Sequence, residues 1–254
     1  MAFPYSQRNE WIHALINLRK ELIPAFQKIS MHFMTFLVLI ILQSLNFSFL
    51  YGEFHGKIDI GPVFLDVDIL ESGKTVETLH MKGAKGDATL LIYEGLCIKP
   101  NFIWGRGHGQ LAAGTIAVGY YIPLTKKIKI LPNVGVTWSN LHTRVDFESI
   151  GLFDLKERFH SRSPFIGLEF CYTFAKKWTL MAVYQYAWSR THTKIGSIVS
   201  DKSHSRGPNY SLGIDYSLNE HWSLTFGVGY NITLSHEKHG IRGKGAKLGL
   251  AYYF

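Results

Sequence analysis

Trp222-Ser223-Leu224-Thr225-Phe226-Gly227-Val228-Gly229-Tyr230-Asn231-Ile232-Thr233-Leu234 decides the fold. Its even positions are all apolar or aromatic, and its odd positions are Ser, Thr, Gly and Asn. Side chains alternate with period two only on a strand, so this segment has one apolar face and one small, polar face. The rule repeats upstream. Tyr210, Leu212, Ile214, Tyr216 and Leu218 oppose Asn209, Ser211, Gly213, Asp215 and Ser217. Trp178, Leu180, Ala182, Tyr184, Tyr186 and Trp188 oppose Thr179, Met181, Val183, Gln185 and Ala187. Residues 116–122, 128–138 and 166–174 follow the same pattern.

Two architectures bury one face of such strands. A soluble sandwich turns the apolar face inward and covers the other with Lys, Glu and Thr. Here the second face is Gly, Ser, Thr, Asn and Ala, which suits a narrow, partly wet interior. The apolar face carries aromatics at its ends, at Trp138, Phe174, Trp178, Trp188, Trp222, Tyr252 and Phe254. Strands of about ten residues tilted near 45° cross a bilayer, with aromatic girdles at both interfaces. The sequence therefore predicts an all-β fold, a transmembrane antiparallel up-and-down β-barrel.

Short connections at 125–127, 175–177 and 219–221 alternate with long ones expected at 139–163, 191–207 and 236–243. Bacterial barrels have short periplasmic turns and longer extracellular loops, and an even strand count. Counting back from 243–254 gives eight strands, at 243–254, 221–235, 208–218, 177–190, 164–174, 127–138, 111–123 and about 88–105. The stretch 66–79 reads as a hairpin turning at Ser72-Gly73. Adding it gives about 10 strands; the alternative is 8 with the hairpin as an appendage. Pro100 and Pro132 fall mid-strand, where a bulge or kink is expected.

Composition agrees. The 254 residues are 46% hydrophobic, 14% aromatic and only 18% charged, which excludes disorder. Only Phe33–Leu50 approaches the length of a spanning helix, so a polytopic helical protein is excluded as well. Two cysteines, Cys97 and Cys171, match no disulfide framework and no zinc spacing. Residues 1–52 place Arg8, Arg19, Lys20 and Lys28 before the apolar run 33–42, a signal-peptide pattern ending near Gly52. An uncleaved anchor helix over 31–51 is the alternative. The expected division is a 1–52 N-terminal extension and signal peptide, and a 53–254 barrel domain. The formal charge of +8 asks for an acidic partner without choosing one.

The last residues, Lys247-Leu248-Gly249-Leu250-Ala251-Tyr252-Tyr253-Phe254, resemble the terminal assembly signal of Gram-negative outer-membrane proteins. With the turn exits Lys-Lys-Trp-Thr-Leu and Glu-His-Trp-Ser-Leu, the chain resembles the small outer-membrane-protein-A-like barrels. The phrase 184–192, Tyr-Gln-Tyr-Ala-Trp-Ser-Arg-Thr-His, resembles chlamydia-type barrels. The resemblance implies export to the outer membrane and handling by periplasmic chaperones. It also implies that the barrel-assembly machinery reads Leu248, Leu250, Tyr252 and Phe254. The outer-membrane-protein-A-like resemblance does not imply an anchoring role through that family's peptidoglycan-binding domain.

All arginines after residue 52, Arg106, Arg144, Arg158, Arg162, Arg190, Arg206 and Arg242, fall at the expected outer end. Guanidinium forks bind phosphate in bidentate fashion, and the outer leaflet presents lipid A phosphates. Basic extracellular loops contacting lipopolysaccharide or environmental ligands are the expected role, without enzymatic activity, cofactor or metal. A nucleic-acid partner is not expected, because the aromatics lie on the lipid face. His108, His142, His160, His192, His204, His236 and His239 crowd the same end as polar loop residues. A rim hydrolase is the enzymatic alternative. Ser203-His204-Ser205 weakly resembles lipid A deacylases, and His142, Asp146, Asp154 and His160 supply the residue types of omptin proteases. Inside, Lys129, Glu169, Gln185, Asp215 and Asn231 are expected to form a polar core, with Lys129 and Glu169 as its candidate ion pair. A ten-strand lumen is expected to be nearly filled, and a narrow channel for small or hydrophobic solutes is the other alternative.

Overall fold

The computed structural model describes residues 55–93, 95–147, 152–195 and 199–254. The signal-peptide expectation at 1–52 lies outside them. Eleven strands follow in chain order: β1 Gly56–Glu71, β2 Lys74–Tyr93, β3 Leu96–Gly107, β4 Gln110–Tyr120, β5 Ile122–Pro123 and β6 Ile128–Phe147. They continue as β7 Leu152–Ala175, β8 Trp178–Ile195, β9 Val199–Ser217, β10 Trp222–Leu234 and β11 Gly240–Tyr253. Every pairing is antiparallel between neighbours, β1 pairs with β11, and β4 pairs with β6. The result is a closed ring of ten strands, with the two-residue β5 outside it.

The stagger follows from the register. Paired residues lead from Gly56 through Leu90, Ile98, Val118, Val134, Ile166 and Tyr186 to β9. They continue through β10 and Arg242 to Asp68, twelve positions up the starting strand. Such a shear tilts the strands near 40°.

Alternation holds around the ring with one parity. Odd residues line the lumen, and even residues form the outer wall. That wall exposes Ile60, Phe64, Val134, Ile166, Leu212, Phe226 and Leu248, which only lipid can cover at this density. At one rim Phe174, Trp178 and Tyr216 contact in sequence, and Trp222, Tyr252 and Phe254 continue the girdle. Trp104, Trp138 and Trp188 mark the other rim.

Several boundaries differ from the sequence reading. The expected strand at 88–105 is two strands, because the chain turns at Gly95, whose φ of +95° suits glycine. A register irregularity between Leu91 and Tyr93 explains the contiguous apolar run there. The hairpin does turn at Ser72 and Gly73, both at positive φ, and its arms lengthen into full barrel strands. Pro100 and Pro132 produce no register shift. Pairing to β2 lapses between Asn101 and Ile98, and Pro132 sits one residue beyond the last β4 partner of β6. Both sites spare the ladder a missing N–H.

The largest correction concerns the loops. Most of 139–163 and 191–207 is strand, as β6 to β9 continue beyond the aromatic level. There the outward face turns cationic while the inward face mixes Ser161, Ser163, Ser189 and Thr191 with Leu141 and Phe159, so alternation persists without its hydrophobic contrast.

Candidate functional site

Two surfaces carry chemistry, the lumen and the outward face of the upper strands. The lumen is hollow, with a cavity of about 2100 Å³ touched by every strand of the ring, where a nearly filled interior was expected. Gly227 and Gly229 help to open it, since a Cβ at either would meet nothing nearer than 3.6 Å. Lys129, Glu169, Gln185, Asp215 and Asn231 all line it, as their parity requires.

The Lys129–Glu169 pair does not form. Glu169 is bonded instead by the Nζ of Lys99, which reaches from β3 across the lumen to β7. Lys57 Nζ spans from β1 to Asp215 Oδ2 on β9 at 2.5 Å, and Tyr253 Oη donates to the same oxygen at 3.0 Å. Lys247 meets Asp59 at 2.9 Å and Asp87 at 2.8 Å, tying β11 to β1 and β2. Lys57, Lys99 and Lys247 were missed because cross-lumen pairing depends on shear, which no single strand reveals.

Farther up, Val63, Leu65, Val67, Leu79, Met81 and Leu141 pack into an apolar cluster on the wall from β1 to β6. The β7 and β8 wall opposite carries a hydroxyl chain of Ser161, Ser163, Ser189 and Thr191. At the upper mouth, burial and the neighbouring Glu77 and Glu71 carboxylates push the Glu157 carboxyl up to about 7.

The predicted arginines lie on strands rather than loops, and Arg106, Arg158, Arg162, Arg190, Arg206 and Arg242 are on the outward face. Trp104 lies two residues below Arg106 on β3. Trp138 pairs across to Arg162, and Trp188 pairs to Arg206 two residues below Arg190. Arg162 and Arg190 stand directly opposite each other. A groove of about 870 Å³ joins Arg162, Trp188, Arg190, His204 and Arg206. Among the described residues none of these arginines has a carboxylate partner. On β11, the ten residue steps from Tyr252 up to Arg242 climb about 25 Å, at about 3.3 Å per step and a tilt near 40°. That matches the apolar band of an outer-membrane barrel. The belt therefore stands immediately above the upper tryptophans.

Arg242 differs from the others. It binds Asp68 at 2.6 Å and Thr75 at 2.9 Å, so its fork is already engaged. Burial alone would raise the Asp68 carboxyl, but the Thr78 hydrogen bond and Arg242 outweigh it and hold it below its usual range. Arg158 and Arg144 lie higher, paired in register with His142 and Lys156.

The strand histidines His142, His160, His192 and His204 also lie on the outward face, whereas His239 borders the lumen. His142 and His160 make an edge-on ring contact with centroids 6.4 Å apart. Burial, followed for both by nearby cations including Arg158, holds the two imidazoles below their ordinary range. Ser203 and Ser205 line the lumen, whereas His204 belongs to the outer groove, so the three residues form no serine–histidine pair.

A closed antiparallel ring with a lipid-facing apolar band and two aromatic rims defines an outer-membrane β-barrel. Residues 102–247 match the Protochlamydia outer membrane protein family, and the chain belongs to that family. No curated protein sequence matches it. Among solved structures it is similar to the outer membrane protease OmpT of Escherichia coli, with 11% identity and a TM-score of 0.50, covering 79% of this chain and 96% of that one. An outer membrane channel from Pseudomonas putida F1 gives 10% identity and a TM-score of 0.50, covering 79% and 95%. Neisserial surface protein A gives 13% and 0.43, covering 79% and 97%. At these identities the two likenesses at a TM-score of 0.50 show the fold alone.

Proposed function

We propose that this outer-membrane barrel acts without enzymatic chemistry and grips lipopolysaccharide through its outward arginine belt. The observation that carries this reading is the Arg162–Arg190 pair, flanked by Arg206 and His204. Like charges opposite each other across a strand pair are destabilising, and no carboxylate among the described residues offsets these. A phosphate between two guanidinium forks offsets the repulsion with charge-assisted bonds. The belt's position just above Trp138 and Trp188 is where lipid A phosphates meet a barrel wall. Export through residues 1–52, delivery by periplasmic chaperones, and reading of Leu248, Leu250, Tyr252 and Phe254 by the assembly machinery belong to the same proposal.

Native mass spectrometry of the barrel titrated with lipopolysaccharide tests the belt. Wild type is expected to retain a bound lipopolysaccharide that R162Q/R190Q/R206Q loses, while both proteins keep heat-modifiable migration. Equal retention by the two folded proteins refutes the reading.

The hollow lumen favours a second reading, passage of small solutes. Planar-bilayer recording tests it, and no unitary steps from folded protein would remove it.

A further inference from the structure

Above the belt the outward face of β7 to β9 carries further cations, interleaved with histidines. Arg158 faces Lys194; His160 faces His192, which in turn faces Lys202. Among the described residues, Arg158, Lys194 and Lys202 have no carboxylate partner. The lumenal side of the same strands carries no cation over these rows, with Ser161, Thr191, Thr193 and Ser203 beside the carboxylates Glu157 and Asp201. The basic character is therefore a property of one face, not of the segment.

Spacing constrains the partner. Directly opposite side chains lie about 5 Å apart, and same-face neighbours along a strand about 7 Å apart. Arg158 stands two such steps above Arg162, so the cations form a ladder climbing away from the bilayer. A small anion satisfies one rung. A carbohydrate chain bearing acidic groups on successive sugars satisfies several at once, provided that it starts at the belt and runs outward along the wall. The sugars joined directly to lipid A meet that requirement, because their first residue is fixed at the height of the phosphates.

We propose that the β7–β9 face docks the carboxylate- and phosphate-bearing inner-core sugars of one lipopolysaccharide molecule, whose lipid A phosphates occupy the belt. The site rests on the belt reading and goes beyond it. It makes one face of the barrel a defined site for a single molecule, where the belt alone would hold an exchanging lipid annulus.

The test uses the folded full-length barrel in detergent with two probes, lipid A alone and lipopolysaccharide carrying its acidic inner core. Ladder variant R158Q/K194Q/K202Q is compared with belt variant R162Q/R190Q/R206Q. Heat-modifiable migration verifies that each is folded. Wild type is expected to bind the core-bearing probe about tenfold more tightly than lipid A, as three exposed ion pairs acting together allow. The ladder variant is expected to bind lipid A as wild type does and to lose that preference. A preference that survives in the ladder variant, or is missing in wild type, overturns the proposal. Failure of the belt reading has a different signature: unchanged lipid A binding by the belt variant.

Discussion

Replacing Lys247 by Met removes the cation that joins the two ends of the sheet. Its ammonium lies 2.9 Å from Asp59 and 2.8 Å from Asp87, on a residue only 8% exposed. Stripping one partner from a buried pair typically costs about 3–5 kcal/mol, because the remaining charge is left uncompensated. Both carboxylates keep some compensation here. Asp59 Oδ1 still accepts from Thr225 Oγ1 at 3.1 Å, and Asp87 Oδ1 still faces Lys85 at 3.3 Å. The expected loss is therefore near the lower end, about 3 kcal/mol. Urea unfolding in lipid vesicles, followed by tryptophan fluorescence, measures it as a lower midpoint at unchanged slope. Removing the whole cluster, as K247M/D59N/D87N, is expected to return stability to within about 1 kcal/mol of wild type, since the cation that loses its carboxylate, Lys85, is partly exposed to water. A loss below about 0.5 kcal/mol for Lys247→Met alone would mean that lumenal water already solvates these charges, which refutes the reasoning.

Two further outcomes follow from the lumen. Glu157, raised from 4.5 to about 7, binds its proton more tightly in the folded barrel than in the unfolded chain. Its favourable contribution is complete below the unfolded value and is lost as pH rises through 7. The free energy of opening of amides in the upper parts of β6 and β7, taken from exchange rates corrected for their base-catalysed intrinsic pH dependence, is expected to be greater at pH 5 than at pH 8, and Glu157→Gln to remove that difference; a corrected pH dependence unchanged in the variant contradicts the assignment. Gly229→Trp projects an indole into the cavity without a backbone clash, since the nearest atom to its Cβ is 3.8 Å away. Any unitary conductance is expected to fall in G229W and to persist in G229A.

The fold was legible wherever one face met lipid. In 222–234 hydrophobic contrast and strand period coincide, and the strand appears where the sequence places it. Above the membrane they part company. Arg158, His160 and Arg162 alternate with Phe159, Ser161 and Ser163 in register with β8, yet both faces are largely polar, so the pattern reads as loop. The arginines themselves were legible as a set at one end. Their outward aim was not, because it follows from the strands' extending through residues read as connections. Pairing across the lumen was hidden for another reason. Lys99 and Glu169 are brought level by tilt and shear, whereas Lys129 pairs in register with Cys171 and takes no part.

The most direct measurement of the lipopolysaccharide claim is the unfolding midpoint of wild type and R162Q/R190Q, each with and without lipopolysaccharide in neutral detergent. Without ligand the variant is expected to be the more stable, by about 0.2–1 kcal/mol, because a facing like-charge pair has been removed. With lipopolysaccharide the order is expected to invert, since ligand bound to the folded state stabilises it in proportion to affinity. A variant that is stabilised by lipopolysaccharide as much as wild type would contradict the claim.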